Sequence, residues 1–179
     1  EQFQEAFGFR GVQFGNYVEG DRRQFELNEA FDGLMDLAEV LKVPPRALSL
    51  DGTLGLAFGA RGRGGPRAAK AHYEADQVVI NLTKGKGAGS LAHEWFHGLD
   101  NYFGRKDTGS KLAAYATERR DSLGGVRAEV WAAWRAVEKS LKGGTYSTRM
   151  QTADDARAKP YWNTMIEKAA RGFEKYVVD

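Results

Sequence analysis

A chain of 179 residues, 42% hydrophobic and 28% charged with a net charge of +2, has the size and balance of one globular domain with its own core. With 0 cysteines it excludes a disulfide framework, a cysteine nucleophile and a thiolate metal site, so any metal must be held by histidine and carboxylate. So small a net charge does not by itself point to nucleic acid or a membrane, and no run is apolar enough for a membrane span or signal peptide, which reads as a cytoplasmic protein.

The chain opens on Glu1 rather than Met and stops directly after a helical pattern at Asp179, so 1–179 reads as a single domain excised from a longer polypeptide. Residues 3–18 mix aromatics with glycines and predict short extended pieces joined by turns. Asp21 can cap a helix reaching Lys42, because Phe25, Ala30, Phe31, Leu34, Leu37, Ala38 and Leu41 recur at helical spacing before Pro44-Pro45 stop it. Leu54–Ala60, Ala71–Glu74 and Val78–Leu82 predict strands, with a basic glycine-rich loop after the first and a turn at 75–77 between the others. A glycine-rich link, Lys84–Ser90, leads into a helix from about Ser90 to Phe103 that Gly104 would stop. After a polar loop the chain turns mainly helical: Val126–Leu141, a break at Gly143-Gly144, a helical turn near Gln151–Ala158, and a last helix over Thr164–Val178. The expected class is α+β.

The helix at 90–103 carries His93-Glu94-Trp95-Phe96-His97, the pattern H-E-x-x-H. On a helix the two histidines lie one turn apart on one face and can converge on a single ion, with Glu94 beside them as a general base for water. The bland alternative is a polar helix face with two surface histidines. A catalytic zinc site needs a third protein ligand and an open position. A third histidine at metzincin spacing is excluded because that position is Phe103, and His72 reads as a strand residue rather than a ligand. Asp100 shares the face but lies about 4.5 Å further along the axis, which suits it to orienting a histidine or to a plain hydrogen bond. Glutamates beyond the motif remain: Glu118, Glu129, Glu138, Glu167 and Glu174. Glu167 also has an ordinary explanation, since Thr164-x-x-Glu167 is a capping box and Arg171 can pair with it one turn on.

The segment His93-Glu94-x-x-His97-x-x-Asp100-x-Tyr102 resembles the active helix of gluzincins, particularly lethal-factor-type toxin metalloproteases, which share the Asp and Tyr positions. In those proteins the third ligand is a Glu opening a later helix in a pattern like E-x-x-A-x-x-F. Glu167-Lys-Ala-Ala170-Arg-Gly-Phe173 matches it, so the resemblance implies Glu167. They also place a Tyr before that ligand, close to the oxyanion; Tyr161 stands one residue off that spacing, and Tyr146 is the other candidate. A broader similarity runs from FGFRGVQFGNYV through ALSLDGTLGLAFGARG and INLTK to HEWFHGLDNYF. It is to a zincin-like domain of the large polyvalent proteins of phages and conjugative elements. What these resemblances imply is a zincin-like metallopeptidase fold in which His93, His97 and Glu167 hold Zn2+. Glu94 then serves as general base and acid toward a peptide or protein substrate, with neighbouring domains of a larger polypeptide as further partners. A sheet edge, either Ala71–Glu74 or Leu54–Ala60, would align the peptide.

Two other patterns lead elsewhere. Gly85-x-Gly87-x-Gly89 has neither the dinucleotide nor the P-loop spacing and reads as a link. Arg61, Arg63, Arg67, Lys70, Lys84 and Lys86 read as a solvated basic region; the functional alternative is an inactive zincin scaffold that binds nucleic acid or an acidic partner.

Overall fold

The computed structural model describes residues 2–15, 20–59, 71–82, 88–106, 114–119 and 124–179. Among them the chain is mixed α+β, with six helices and one four-stranded sheet. The amino-terminal aromatics form a helix, α1 (Gln2–Phe7), where extended pieces were expected. Phe3 and Phe7 are four apart, and that spacing puts both on one helix face; their rings meet tilted at 5.1 Å and reach Phe31 and Phe9. Gly8, at φ +66, then turns the chain into β1 (Val12–Phe14).

Helix α2 (Gly20–Leu41) follows the predicted apolar stripe, burying Ala30, Leu34, Leu37 and Ala38. A 3-10 turn at Pro45–Ser49 leads to β2 (Gly55–Phe58); then come β3 (Ala71–Glu74) and β4 (Val79–Leu82). The strand order is β1-β2-β4-β3. The first three run parallel and β3 is antiparallel to β4. β2 therefore lies inside the sheet, paired on both sides, and the expectation that Leu54–Ala60 could be an edge is wrong. Among the described residues that leaves β3 as the edge strand on this side. Leu56, Phe58 and Ile80 join Phe7, Leu34, Leu37 and Trp95 in the larger core.

Helix α3 (Ala88–Gly104) carries the H-E-x-x-H pattern. Leu91, Ala92 and Trp95 face the larger core, and the Trp95 indole N–H donates to Leu48 O at 2.9 Å. Phe96 faces a second, smaller core with Trp134, Ala169 and Ala170. Gly104 is the last residue of α3 but not a left-handed cap, and it is glycine for a different reason. A Cβ there would stand 2.3 Å from Ala114 O, because the segment leading into a 3-10 turn at Ala116–Glu118 crosses the helix end at backbone contact. Helix α4 (Ala128–Leu141) matches its expectation closely. The turn expected near Gln151–Ala158 is instead the end of a full helix, α5 (Gly144–Asp154), which starts at the glycine pair rather than well beyond it. Helix α6 (Met165–Val178) is capped by Thr164 and closes the fold.

Candidate metal centre

The site is made where α6 meets α3. Two small residues, Ala169 and Ala170, are buried and let the helices approach, and Phe173 packs its ring 5.7 Å from Trp95 and 5.0 Å from Phe96. The capping box is half formed. Thr164 Oγ1 accepts from Glu167 N at 3.3 Å, while the Thr164 N–H goes to Tyr161 O at 3.2 Å. The Glu167 carboxylate is not spent on the cap. It points across to the histidines of α3.

His93 Nε2 and His97 Nε2 lie 3.1 Å apart; Glu167 Oε1 is 3.5 Å from the first and Oε2 is 3.6 Å from the second. All three side chains offer a ligand atom within 4.8 Å of the others, the only such group among the described residues. Nitrogen and oxygen ligands ~2.0–2.1 Å from a tetrahedral zinc lie about 3.3 Å from one another, so the spacing fits such an ion. Glu167 Oε1 and His93 Nδ1 are buried without a hydrogen bond, and each is met by an ion-pair partner, Arg171 for the first and Glu174 for the second. These residues can hold a metal ion.

Charged neighbours surround the three side chains. Glu174 Oε2 lies 3.3 Å from His93 Nδ1, a negative charge that favours a proton on Nδ1, while Nε2 faces His97 and Glu167. Arg171 Nε forms an ion pair with Glu167 Oε1 at 2.8 Å. Asp100, fully buried, accepts from Thr117 N at 2.9 Å and Thr117 Oγ1 at 2.6 Å, and its charge acts on His97. Burial pushes its carboxyl up to about 6 against those bonds. Burial likewise disfavours an ionised Glu167, but the bonds and charges of His93 and His97 outweigh it and hold that carboxyl below the ordinary range. His93 is desolvated too, yet Glu167 and Glu94 raise it overall.

Glu94 follows His93 and is half-buried. Burial raises its carboxyl, opposed by His97, His93 and a hydrogen bond from the Tyr73 backbone N–H. Residues of an antiparallel strand alternate between facing the partner and facing away. The Tyr73 N–H faces away from β4, so Glu94 sits directly against the edge of β3.

Tyr161 comes to the site although its spacing differs from the toxin pattern. Burial raises its hydroxyl, as do the Glu167 charge and a hydrogen bond between the two side chains; Glu94 adds to the effect. Tyr161 is held from behind: the Asp154 carboxylate accepts from the N–H groups of Tyr161, Trp162 and Asn163 at 2.8–3.0 Å. Tyr146 is close as well, but its hydroxyl donates to Lys168 O at 2.9 Å and is committed to the backbone of α6. His72 pairs with Glu74 on β3 at 2.9 Å and is not among the metal-capable residues. Glu118 is exposed on the 3-10 turn, Glu129 is exposed on α4 and Glu138 pairs with Arg135 and Lys142.

One residue escaped the sequence reading. Tyr115 lies half-buried on the segment that crosses α3, where burial and the charges of Asp100, Glu118 and Glu94 raise its hydroxyl. The signal for it was indirect. Asp100, Asn101 and Gly104 all serve to receive that segment, through Thr117, through Ala114 O at 2.9 Å and through the missing Cβ.

The basic residues Arg61, Arg63, Arg67, Lys70, Lys84 and Lys86, and Gly85 and Gly87 of the link, lie outside the described residues. Among the described residues no helix is long and apolar enough to cross a membrane. No protein-family model, curated protein or solved structure matches this chain.

Proposed function

We propose that the chain is a zincin-like metallopeptidase of the gluzincin type, in which His93, His97 and Glu167 hold Zn2+ and Glu94 is the general base. One observation carries this reading. Two imidazole nitrogens and one carboxylate, from helices far apart in sequence, converge at zinc-ligand spacing beside a second, differently placed carboxylate. A bare surface motif would not recruit Glu167 from α6.

The metal's part is Lewis acidity toward a water and a peptide carbonyl. Glu94, whose carboxyl is raised by burial, is poised to take the proton from the attacking water and return it to the leaving amine. Tyr161 supplies a hydroxyl donor for the oxyanion, held in place by the bonds from its backbone to Asp154. The edge of β3 aligns an extended peptide by strand addition through the outward-facing groups of Ala71 and the Tyr73 carbonyl, the Tyr73 N–H being held by Glu94. Glu174 stands behind the Nδ1 of His93, and Asp100 adds negative charge near His97.

The test is metal content together with hydrolysis of a quenched peptide pool. Wild-type protein is expected to carry about one zinc per chain. His93→Ala and Glu167→Ala should lose it, whereas Glu94→Ala should keep it and lose hydrolysis. Zinc retained in Glu167→Ala would remove that residue from the ligand set. Zinc absent from the wild type would leave the alternative, an inactive zincin scaffold that binds nucleic acid or an acidic partner.

A further inference from the structure

Three residues of α6 share one face at helical spacing: Glu167, Arg171 and Glu174. Arg171 joins the other two. Its Nε is 2.8 Å from Glu167 Oε1, its Nη1 donates to Glu174 Oε2 at 3.5 Å, and that same Glu174 oxygen meets His93 Nδ1 at 3.3 Å. The guanidinium lies over the Trp162 ring, 4.3 Å from its centroid, and Trp162 N is bonded to Asp154 at 3.0 Å. The planar group is thus confined by an aromatic face on one side and two carboxylates on the other.

From this arrangement we propose that Arg171 is a positioning residue of the metal centre, holding Glu167 so that it meets a divalent cation through one oxygen rather than two. The proposal rests on the metal reading above. A carboxylate oxygen already paired with a guanidinium is the poorer partner for a second cation, because the two positive charges repel across it. With Oε1 so engaged, ligation is biased to the other oxygen alone. A one-oxygen carboxylate and two histidines leave the fourth position of a tetrahedral ion open, as a hydrolytic site requires. Without Arg171 the carboxylate is free to rotate and engage with both oxygens, and the open position is lost.

Affinity is a poor test, since removing Arg171 relieves repulsion of the cation and also loosens its ligand, effects of opposite sign. Coordination number separates them. Co2+ added to metal-free protein reports it through its visible bands, which are severalfold stronger for four-coordinate than for higher-coordinate cobalt. Wild-type protein should show the intense spectrum. Arg171→Met should bind cobalt at the same stoichiometry with severalfold weaker bands, and Trp162→Leu, which frees the guanidinium without removing it, should show a smaller fall. Bands in Arg171→Met that equal those of the wild type would overturn the proposal. Should Arg171→Met lose its helical circular dichroism, Arg171→Gln carries the same comparison and the same two outcomes. A wild-type protein whose cobalt spectrum is no different from that of His93→Ala would overturn the metal site itself and this proposal with it. Wild-type bands that persist unchanged in the Arg171 variants would overturn the proposal alone.

Discussion

Asp100 shows how a residue can be costly to the fold and useful to a site. It lies at 0% exposure, and burial raises its carboxyl to about 6 even though Thr117 donates to it twice. A folded value above the ordinary one means that the folded state prefers the protonated acid. The penalty therefore appears as pH climbs from about 4 through about 6 and is full at pH 7. Asparagine can keep both contacts, accepting from Thr117 N and donating to Thr117 Oγ1, without the charge. Metal-free Asp100→Asn is accordingly expected to be more stable than the wild type at pH 7, by about 3 kcal/mol, with the difference closing below about pH 4. Urea denaturation at both pH values checks it. A variant less stable at pH 7 would mean that the Thr117 bonds to the anion outweigh its burial. The same change should weaken metal binding, because the negative charge beside His97 is gone.

At the scale of elements, α3 is tied to its surroundings by its own tail. Tyr73 of β3 donates to Asn101 Oδ1 at 2.7 Å, Asn101 Nδ2 donates to Ala114 O at 2.9 Å, and Gly104 lets the crossing segment touch the helix. The neighbour at Gly104 is backbone, which cannot rotate out of the way. Gly104→Ala should therefore destabilise the protein by about 1–3 kcal/mol, read as a lower urea midpoint at unchanged slope. An unchanged midpoint would show that the crossing segment yields at no cost. Helix boundaries were readable wherever periodicity and punctuation coincided, as with Pro44-Pro45 after α2 and Thr164 before α6. They were misread where local composition misled. The glycines near Phe3–Phe9 suggested extended chain, but a cluster of Phe3, Phe7, Phe9 and Phe31 pays for a helical turn there.

For the whole molecule, α3 stands between two cores, and the metal-capable group lies where α6 closes against it. A cation bound only in the folded state stabilises the fold by mass action. Zinc at a free concentration about a hundred times its dissociation constant should add about 2.7 kcal/mol, or a Tm rise of roughly 5–10 °C for a chain this long, reversed by a chelator. Thermal unfolding with and without zinc tests this, and a rise that persists in His93→Ala would place the binding elsewhere.

The sequence by itself determined the mixed α+β class, the helix that carries His93 and His97, and the exclusion of a third histidine at metzincin spacing, since these follow from local periodicity and fixed helical spacing. It also narrowed the third metal-capable residue to a handful of glutamates and, by resemblance, to Glu167. What only the tertiary structure decided was which of them reaches the histidines. Glu167 and Glu174 both lie on α6, yet one meets the two Nε2 atoms and the other the far side of His93. It decided as well that β3, not β2, is an edge, and that the Tyr146 hydroxyl is spent on the backbone while Tyr161 faces Glu167. These are matters of how one element is laid across another, set by packing between residues distant in the chain, and no local spacing records them.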